Sequence, residues 1–181
     1  MSEDRRDPDP PASLRALSAA GVRPLPLRVG HGYDIHRLQP GGRLVLGGVI
    51  VADGISPVAH SDGDVVLHAL VDAILGAMGW GDIGDHFPNS DGRWKGAASD
   101  LFLRLVYNEA VRHHYRLLTA DVTVMAERPR IGPHKAAMRR ALAGVLDGDV
   151  NVKAGTNEGC DAIGRGEAIA AHAVVLLAAG D

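Results

Sequence analysis

The alternation of residue types from Leu27 to His36 constrains the fold more than any other feature of this chain. Mostly apolar or aromatic side chains occupy every second position, and glycine or polar residues occupy the positions between them. Because successive side chains of a strand point to opposite sides, this period of two predicts a β-strand over Leu27–Leu38. Such a strand places Asp34 and His36, which are two residues apart, on the same side of a sheet.

A helical period follows downstream, where apolar residues recur three and four positions apart. The stripe consists of Val66, Leu67, Leu70, Val71, Ile74, Leu75 and Met78. We therefore expect a helix over Asp64–Met78, with Ser61 or Asp62 as its N-cap. Its polar residues at Asp64, His68 and Asp72 are spaced four apart and lie along the flank of the stripe, at the edge of a cleft.

The rest of the body alternates irregularly between the two patterns. Strands are expected over Leu44–Val51, Leu118–Ala126 and Asp149–Ala154, and helices over Ser99–His114 and from Pro133 to about Leu146. The run from Glu167 to Ala178 fits an Ala-rich helix or a strand, and two adjacent valines favour the strand. The segment Gly79–Ala97 is rich in Gly, Asp, Pro and Ser, which is typical of a functional loop or lid. These elements predict a two-layer α/β domain with helices on one face of a sheet.

Composition excludes several classes of protein. The chain has 181 residues, of which 46% are hydrophobic, enough for one domain with a substantial core. Its 19 Lys and Arg against 22 Asp and Glu form no basic stripe, so a nucleic-acid partner is not expected. Cys160 is the single cysteine, which excludes an internal disulfide and a thiolate-rich zinc finger. No apolar run approaches the roughly 18 residues of a membrane span.

The first 26 residues differ from the body. Residues 1–13 combine several aspartates and prolines with few apolar side chains, which is typical of a segment that packs no core. We expect a flexible extension over residues 1–26, with a short helix over Leu14–Ala20, and a single domain over residues 27–181. Neither a secretory signal nor an organellar transit pattern is present, so a cytoplasmic location is expected.

The His and Asp residues of the first strand and first long helix predict a metal centre. Any one histidine is more simply explained as a polar residue at the edge of a core. Asp34, His36 and His68 together favour a metal, because two elements each present same-face ligands, and two imidazoles with one carboxylate suit catalytic zinc. Other divalent metals remain open from the sequence. Asp64 and Asp72 are expected to orient the second ring nitrogen of His68.

Two C-terminal segments are each compatible with a turn or an anion site. Gly155–Glu158 follows a strand and is a turn by composition, or a phosphate site in which Glu158 holds a hard cation. Gly164–Glu167 is equally compatible with a tight turn and with an arginine that binds an anion. Lys95 and Arg130 are surface charges or further phosphate partners.

The order of six motifs resembles a known family. They are Gly32–His36, Ala59–Asp64 with His68, Gly81–Gly84, Phe87–Asp91, Thr156–Glu158 and Gly164–Glu167. From about Arg28 to its end the chain resembles the 2-C-methyl-D-erythritol 2,4-cyclodiphosphate synthases of the non-mevalonate isoprenoid pathway. The resemblance implies a phosphorus–oxygen lyase acting on 4-diphosphocytidyl-2-C-methyl-D-erythritol 2-phosphate, whose 2-phosphate attacks the β-phosphorus and releases CMP.

The resemblance also implies the roles of particular residues. Zn²⁺ would be held by Asp34, His36 and His68, and Mg²⁺ or Mn²⁺ by Glu158 together with the diphosphate. His60 and Thr156 would stabilise the transition state. Substrate contacts would come from Asp34, Ile35, His36, His60, Ser61, Asp82, Ile83, Gly84, Phe87, Pro88, Asn89, Ser90, Asp91, Ala126, Glu127, Arg128, Pro129, Arg130, Ile131, Gly132, Gly155, Thr156, Asn157, Glu158, Ala162 and Arg165. Residues 87–91 would form a lid, and residues 126–132 would wall the cytosine pocket.

For the fold, the resemblance implies a mixed β-sheet and a homotrimer assembled around the sheets. The cytidine side of each site would come from a neighbouring subunit, which would put Thr156 and Ala126 on a different chain from the zinc ligands. Several positions depart from the family pattern. Asn89 replaces Asp, Arg130 replaces Lys, Gly155 and Asn157 interrupt a Thr run, and Gly159–Ala162 lacks a Leu-Gly pair and an aromatic residue.

Two other functions remain open at this point. One is a zinc hydrolase that acts on a small polar substrate, with Asp62 or Asp64 as the general base for a metal-bound water. The other is a metal-binding trimeric module, without catalysis, that holds an isoprenoid diphosphate along its axis. Release of CMP from the cytidylyl substrate distinguishes the synthase from both.

Overall fold

A computed structural model of the protein describes residues 9–16, 25–88, 90–94 and 96–180. Its strands are β1 (Leu27–Leu46), β2 (Val49–Pro57), β3 (Tyr115–Met125), β4 (Asp149–Gly155) and β5 (Ala168–Ala179). Its α-helices are α1 (Ala12–Ala16), α2 (Val65–Met78), α3 (Ile83–His86), α4 (Ser99–Arg112), α5 (Lys135–Ala143) and α6 (Asp161–Gly164). Two short 3₁₀ turns lie at Gly92–Trp94 and Gly132–His134.

The five strands form one mixed sheet in the order β2–β1–β5–β3–β4. The β3–β4 pair is parallel, and the other three pairs are antiparallel. Helix α2 packs on β1 and β5, α4 packs on α2, and α5 packs against β4. The apolar stripe of α2 lies in the centre of the core, where Leu70, Ile74 and Leu75 are fully buried. The predicted mixed α/β architecture is therefore confirmed.

Two glycines of β1 bring α2 into direct contact with the backbone of the strand. A Cβ atom at Gly30 would lie 1.8 Å from the carbonyl oxygen of Ala73, and one at Gly32 would lie 1.9 Å from that of Ala69. Only a residue without a side chain permits so close an approach. The glycines thus set the distance between β1 and α2, the two elements that carry the predicted metal ligands.

Within the described residues of the single chain, α6 covers one end of the opposite face of the sheet and the rest of that face is uncovered. Val29 is 70% exposed, and Tyr33, Ile35 and Val174 are also exposed on this face. On the same face His31 and His172 approach across the β1–β5 pair, with 3.0 Å between Nε2 and Nδ1. The uncovered face therefore combines apolar and titratable side chains.

The predicted strand over Leu44–Val51 is wrong. β1 continues through Leu46, the chain turns at Gly47 and Gly48, and β2 begins at Val49. Both glycines have positive φ angles, +56° and +74°, as a tight two-residue hairpin requires. The apolar residues on both sides made the sequence resemble one continuous strand. The other predicted strands and helices are confirmed with small shifts of their ends, and the ambiguous C-terminal run is strand β5.

Part of the N-terminal extension contacts the body. Leu14 in α1 is fully buried, and the Ser13 Oγ lies 3.0 Å from the His86 Nδ1. The predicted helix over Leu14–Ala20 falls partly on residues 17–24, outside the described residues. The division into an extension over residues 1–26 and a domain over 27–181 stays a prediction. Among the described helices, none is long and apolar enough to cross a membrane.

Candidate metal centre and its cavity

Strand β1 and helix α2 bring three potential metal ligands together. The Nδ1 of His68 lies 2.9 Å from the Asp34 Oδ2, and the Nε2 of His36 lies 3.2 Å from the same oxygen. The two ring nitrogens are 3.4 Å apart. One ligand atom from each residue lies within 4.8 Å of the others. Two nitrogens and one carboxylate oxygen on one side of a cavity form a possible divalent-metal site with room for a further ligand.

The contacts within this group shift the pKa values of Asp34 and His68. Burial by itself raises the pKa of the Asp34 carboxyl, but hydrogen bonds from His36 and His68 outweigh it and hold that pKa well below its usual range. Burial lowers the pKa of the His68 imidazole, but the hydrogen bond and charge of Asp34 outweigh this effect and raise the pKa above 6.5. Without a metal, the group therefore favours an ionised carboxylate beside a protonated imidazole.

Asp64 is the N-cap of α2, in place of the predicted Ser61 or Asp62. Its fully buried carboxylate accepts backbone N–H groups from the β1–β2 turn and from the first turn of α2. The donors are Gly47 at 2.8 Å, Gly48 at 2.8 Å, Val66 at 3.1 Å and Leu67 at 3.2 Å. Complete burial raises the pKa of Asp64 to about 6, and the N–H donors oppose a larger increase. One side chain thus joins the β1–β2 turn to the start of α2.

The expectation that Asp64 and Asp72 orient His68 is wrong. Asp64 contacts backbone N–H groups, and Asp72 accepts the N–H of Ile83 at 2.8 Å, which ties α2 to the start of α3. A spacing of four residues places side chains on one helix face, but it does not show which groups lie opposite them. In this fold the groups opposite are the β1–β2 turn and α3.

The side chain beside the second nitrogen of His68 is Ser99, which the sequence indicated only as a helix cap. Its Oγ lies 2.8 Å from the His68 Nε2, and the N-cap of α4 is Ala98 in place of the predicted Ser99. The Ser61 Oγ lies 3.2 Å from the same nitrogen. Ser99 and His68 are 31 residues apart. No local pattern connects them, since their contact depends on how α4 packs on α2.

A cavity of about 690 Å³ opens from the metal ligands. Predicted substrate contacts that line it are Asp34, His36, His60, Ser61, Ile83, Gly84, Phe87, Pro88, Ser90 and Asp91. Trp94 and Phe102 also line it and were not predicted. Ile35 is exposed on the other side of β1. The carboxylate of Asp82 accepts the N–H groups of Gly84 and Asp85. Asn89 and Lys95 lie outside the described residues.

Five further predicted contacts line a second cavity. This cavity, of about 730 Å³, is lined by Ile55, Glu127, Arg128, Pro129, Arg130 and Thr156. Ala126 and Ile131, which flank residues 127–130 in the sequence, are buried, and Gly132 begins the 3₁₀ turn. Thr156 donates to the Glu158 Oε1 at 2.8 Å, and Glu158 has a φ of +51°. Within one chain, the described residues place Thr156 and the metal ligands in separate cavities.

Four further predicted contacts, Asn157, Arg165, Ala162 and Gly155, line neither of these cavities. Asn157 donates to Asp161 at 2.9 Å, and Arg165 pairs with Glu167 at 3.0 Å. Both contacts are at the surface, where an ion pair such as that of Arg165 and Glu167 contributes little to stability. Ala162 packs partly buried against a small apolar cluster beneath α6. Gly155, which ends β4, has open space around it.

Comparisons with known proteins agree on one family. A model described as the YgbB family matches residues 27–178. The 2-C-methyl-D-erythritol 2,4-cyclodiphosphate synthase of Xanthomonas oryzae pv. oryzae (strain PXO99A) is 53% identical over 83% of this chain and 94% of that relative. The chloroplastic synthase of Arabidopsis thaliana is 44% identical over 93% of this chain and 79% of that relative. The Plasmodium falciparum IspF structure in complex with CDP has a TM-score of 0.75 at 34% identity, covering 86% and 97% of the two chains.

Proposed function

Because the chain belongs to the YgbB family, we propose that it forms 2-C-methyl-D-erythritol 2,4-cyclodiphosphate and CMP from 4-diphosphocytidyl-2-C-methyl-D-erythritol 2-phosphate. In this reaction the 2-phosphate attacks the β-phosphorus within one molecule, and the bond to CMP breaks. The enzyme is then a phosphorus–oxygen lyase of isoprenoid precursor synthesis. The observation that carries the proposal is the meeting of Asp34, His36 and His68 at one wall of a large cavity.

The three ligands fit zinc by their chemistry. They offer two imidazole nitrogens and a carboxylate oxygen, and the cavity beside them leaves space for a substrate oxygen. A bound Zn²⁺ would withdraw charge from the β-phosphate. The nucleophile is already an anionic phosphate, so the protein needs no strong base and contributes mainly by positioning two anions.

We infer that a second half of the site binds the nucleotide end of the substrate and a second cation. We assign Glu158 to Mg²⁺ or Mn²⁺ and Thr156 to the transition state, with Arg128 and Arg130 beside the cytidine diphosphate. The bound CDP of the Plasmodium falciparum relative supports a cytidine-linked substrate. His60 lines the metal cavity, so it is assigned to the transition state from the other side.

We also propose that the active protein is a homotrimer. Thr156 and the metal ligands line separate cavities in one chain, so a neighbouring subunit must close the site if both act on one substrate. The uncovered apolar face of the sheet is the surface that such an assembly would bury. A cytoplasmic location stays the prediction from the sequence, whereas the Arabidopsis thaliana relative is named as chloroplastic.

The positions of Asp62 and Asp64, the two candidate general bases, argue against the hydrolase alternative. Asp64 is fully buried among backbone N–H groups, and Asp62 is bonded to Ser99. Neither lines the metal cavity. A general base must reach the water that it activates, and these two point elsewhere.

The test of the synthase is CMP release by the purified chain with Zn²⁺ and Mg²⁺. We expect wild-type protein to release one CMP for each substrate molecule consumed. His68→Ala should release none and should also lose its zinc. Absence of CMP from the zinc-loaded wild-type protein would refute the synthase and favour a binding module.

The shared site has its own test, because a mixture of inactive His68→Ala and Glu158→Ala proteins should regain activity when trimers exchange subunits. No recovery from exchanged trimers would contradict the two-subunit site.

A further inference from the structure

A carboxylate and a hydroxyl extend the metal centre into the core through His68. The Ser99 Oγ lies 2.8 Å from the His68 Nε2 and also contacts the Asp62 Oδ1. The second oxygen of Asp62 accepts the backbone N–H of Ser99 at 3.0 Å. Ser99 is fully buried and His68 is nearly so. The four groups form one chain of contacts from Asp34 through His68 and Ser99 to Asp62.

The number of protons in this chain fixes the direction of its hydrogen bonds. An ionised carboxylate only accepts, and a serine hydroxyl has one proton to donate. Because Ser99 donates that proton to Asp62, its oxygen can only accept from the imidazole. The Nε2 of His68 must therefore carry a proton. The other ring nitrogen, Nδ1, faces Asp34 and His36 and is left to bind a metal through its lone pair.

We propose that Asp62 and Ser99 are positioning residues of the metal centre. Asp62 orients the Ser99 hydroxyl, and Ser99 holds the Nε2 proton of His68 so that Nδ1 points to the ligand position. This inference rests on the proposed metal site, but not on the substrate or the reaction. Outer partners of this kind fix the ring orientation of a histidine ligand, and their loss costs about 10–100-fold in metal affinity.

Asp62→Asn tests the direction of the hydrogen bonds as well as their presence. The amide has a single acceptor oxygen, and the backbone N–H of Ser99, at 3.0 Å, is closer to the carboxylate than that of Asp64, at 3.3 Å, so we expect the oxygen to face Ser99 N–H. The amide NH₂ would then face the Ser99 Oγ and turn the hydroxyl proton towards His68. That arrangement favours a proton on Nδ1, where the metal must bind. The substitution should thus weaken zinc binding although it preserves the size of the side chain and a hydrogen bond to Ser99.

The experiment measures Zn²⁺ affinity of the full chain by competition with a chromophoric chelator, without substrate. We expect Ser99→Ala and Asp62→Asn to weaken affinity about 10–100-fold. Ser99→Thr, which keeps the hydroxyl, should restore most of it, and Ser61→Ala should have a smaller effect. In zinc-loaded protein with ¹⁵N-labelled histidine, the Nε2 proton of His68 should exchange with water faster in Ser99→Ala than in wild type.

Several results would overturn the proposal. One is wild-type zinc affinity in both Asp62→Asn and Ser99→Ala, and another is an equal loss in Ser61→Ala. If Ser99→Ala does not fold, Asp62→Asn decides, with the melting temperature of the metal-free protein as the control for folding. Wild-type protein that binds no zinc would refute both this proposal and the metal site. Protein that binds zinc with the expected ranking but releases no CMP would refute only the synthase.

Discussion

Substitution of Gly32 by alanine tests whether the contact between β1 and α2 sets the geometry of the metal centre. The added Cβ would lie 1.9 Å from the Ala69 carbonyl oxygen and 2.7 Å from the Ala73 backbone nitrogen. An ordinary contact begins near 3.4 Å, so α2 must move by about 1.5 Å, because no side-chain rotation relieves a backbone contact. We expect a cost of about 2–3 kcal/mol in unfolding free energy, the upper part of the usual range for overpacking.

The same movement displaces His68, the residue before Ala69. Metal sites tolerate deviations of about 0.2 Å in ligand distance, so a shift of this size should weaken zinc binding at least tenfold, or about 1.4 kcal/mol. Urea unfolding of metal-free protein measures the first effect, and chelator competition measures the second. Gly76→Ala on the same helix is the matched control. Among the described residues its Cβ would meet the His31 carbonyl oxygen alone, at 3.9 Å, and the substitution should stabilise the helix by up to about 1 kcal/mol. Equal stability and zinc affinity in the two variants would refute the reasoning.

Three further predictions concern the pH, the second half-site and the extension. In the metal-free protein, the pair of Asp34 and His68 should stabilise the fold fully between their ordinary pKa values of 3.8 and 6.5. This stabilisation is lost as pH falls through the lowered pKa of Asp34 or rises through the raised pKa of His68. Melting curves of Asp34→Asn at different pH values should lack this dependence. A pH profile that the substitution leaves unchanged would contradict the pairing. Glu158→Ala should reduce CMP release at least tenfold with zinc content unchanged by metal analysis, and concurrent zinc loss would contradict its separate role. Deletion of residues 1–26 should leave turnover intact but lower the melting temperature, because Leu14 is fully buried, and an unchanged melting temperature would contradict that packing.

The parts of the site that follow from local periodicity could be predicted from the sequence. Asp34 and His36 share a side because a strand alternates, and His68 lies on the flank of the apolar stripe of α2 because a helix turns every 3.6 residues. These rules operate within one element and are independent of the rest of the fold. The position of α2 on β1 followed from two glycines whose significance appears only when the helix is in place.

The parts that depend on contacts between distant elements could not be predicted. Asp64 has the spacing of a ligand partner, yet it is the cap that holds the β1–β2 turn, and that turn was itself hidden within an apolar run. Ser99 has the pattern of a helix cap, yet its hydroxyl meets His68 and Asp62. In both cases a short polar side chain satisfies groups that the sequence cannot place beside it. The role of a polar side chain in a core depends on which groups lie opposite it, and that is a property of the packing.

The fate of the 2-phosphate in the cytidylyl substrate tests the central claim most directly. We would follow ³¹P signals while the purified protein, loaded with Zn²⁺ and Mg²⁺, acts on 4-diphosphocytidyl-2-C-methyl-D-erythritol 2-phosphate. We expect CMP and a cyclic diphosphate in equal amounts, with the monoester signal of the 2-phosphate lost at the same rate. CMP accompanied by a linear bisphosphate that keeps its 2-phosphate monoester would show that water is the nucleophile, and it would contradict the cyclisation.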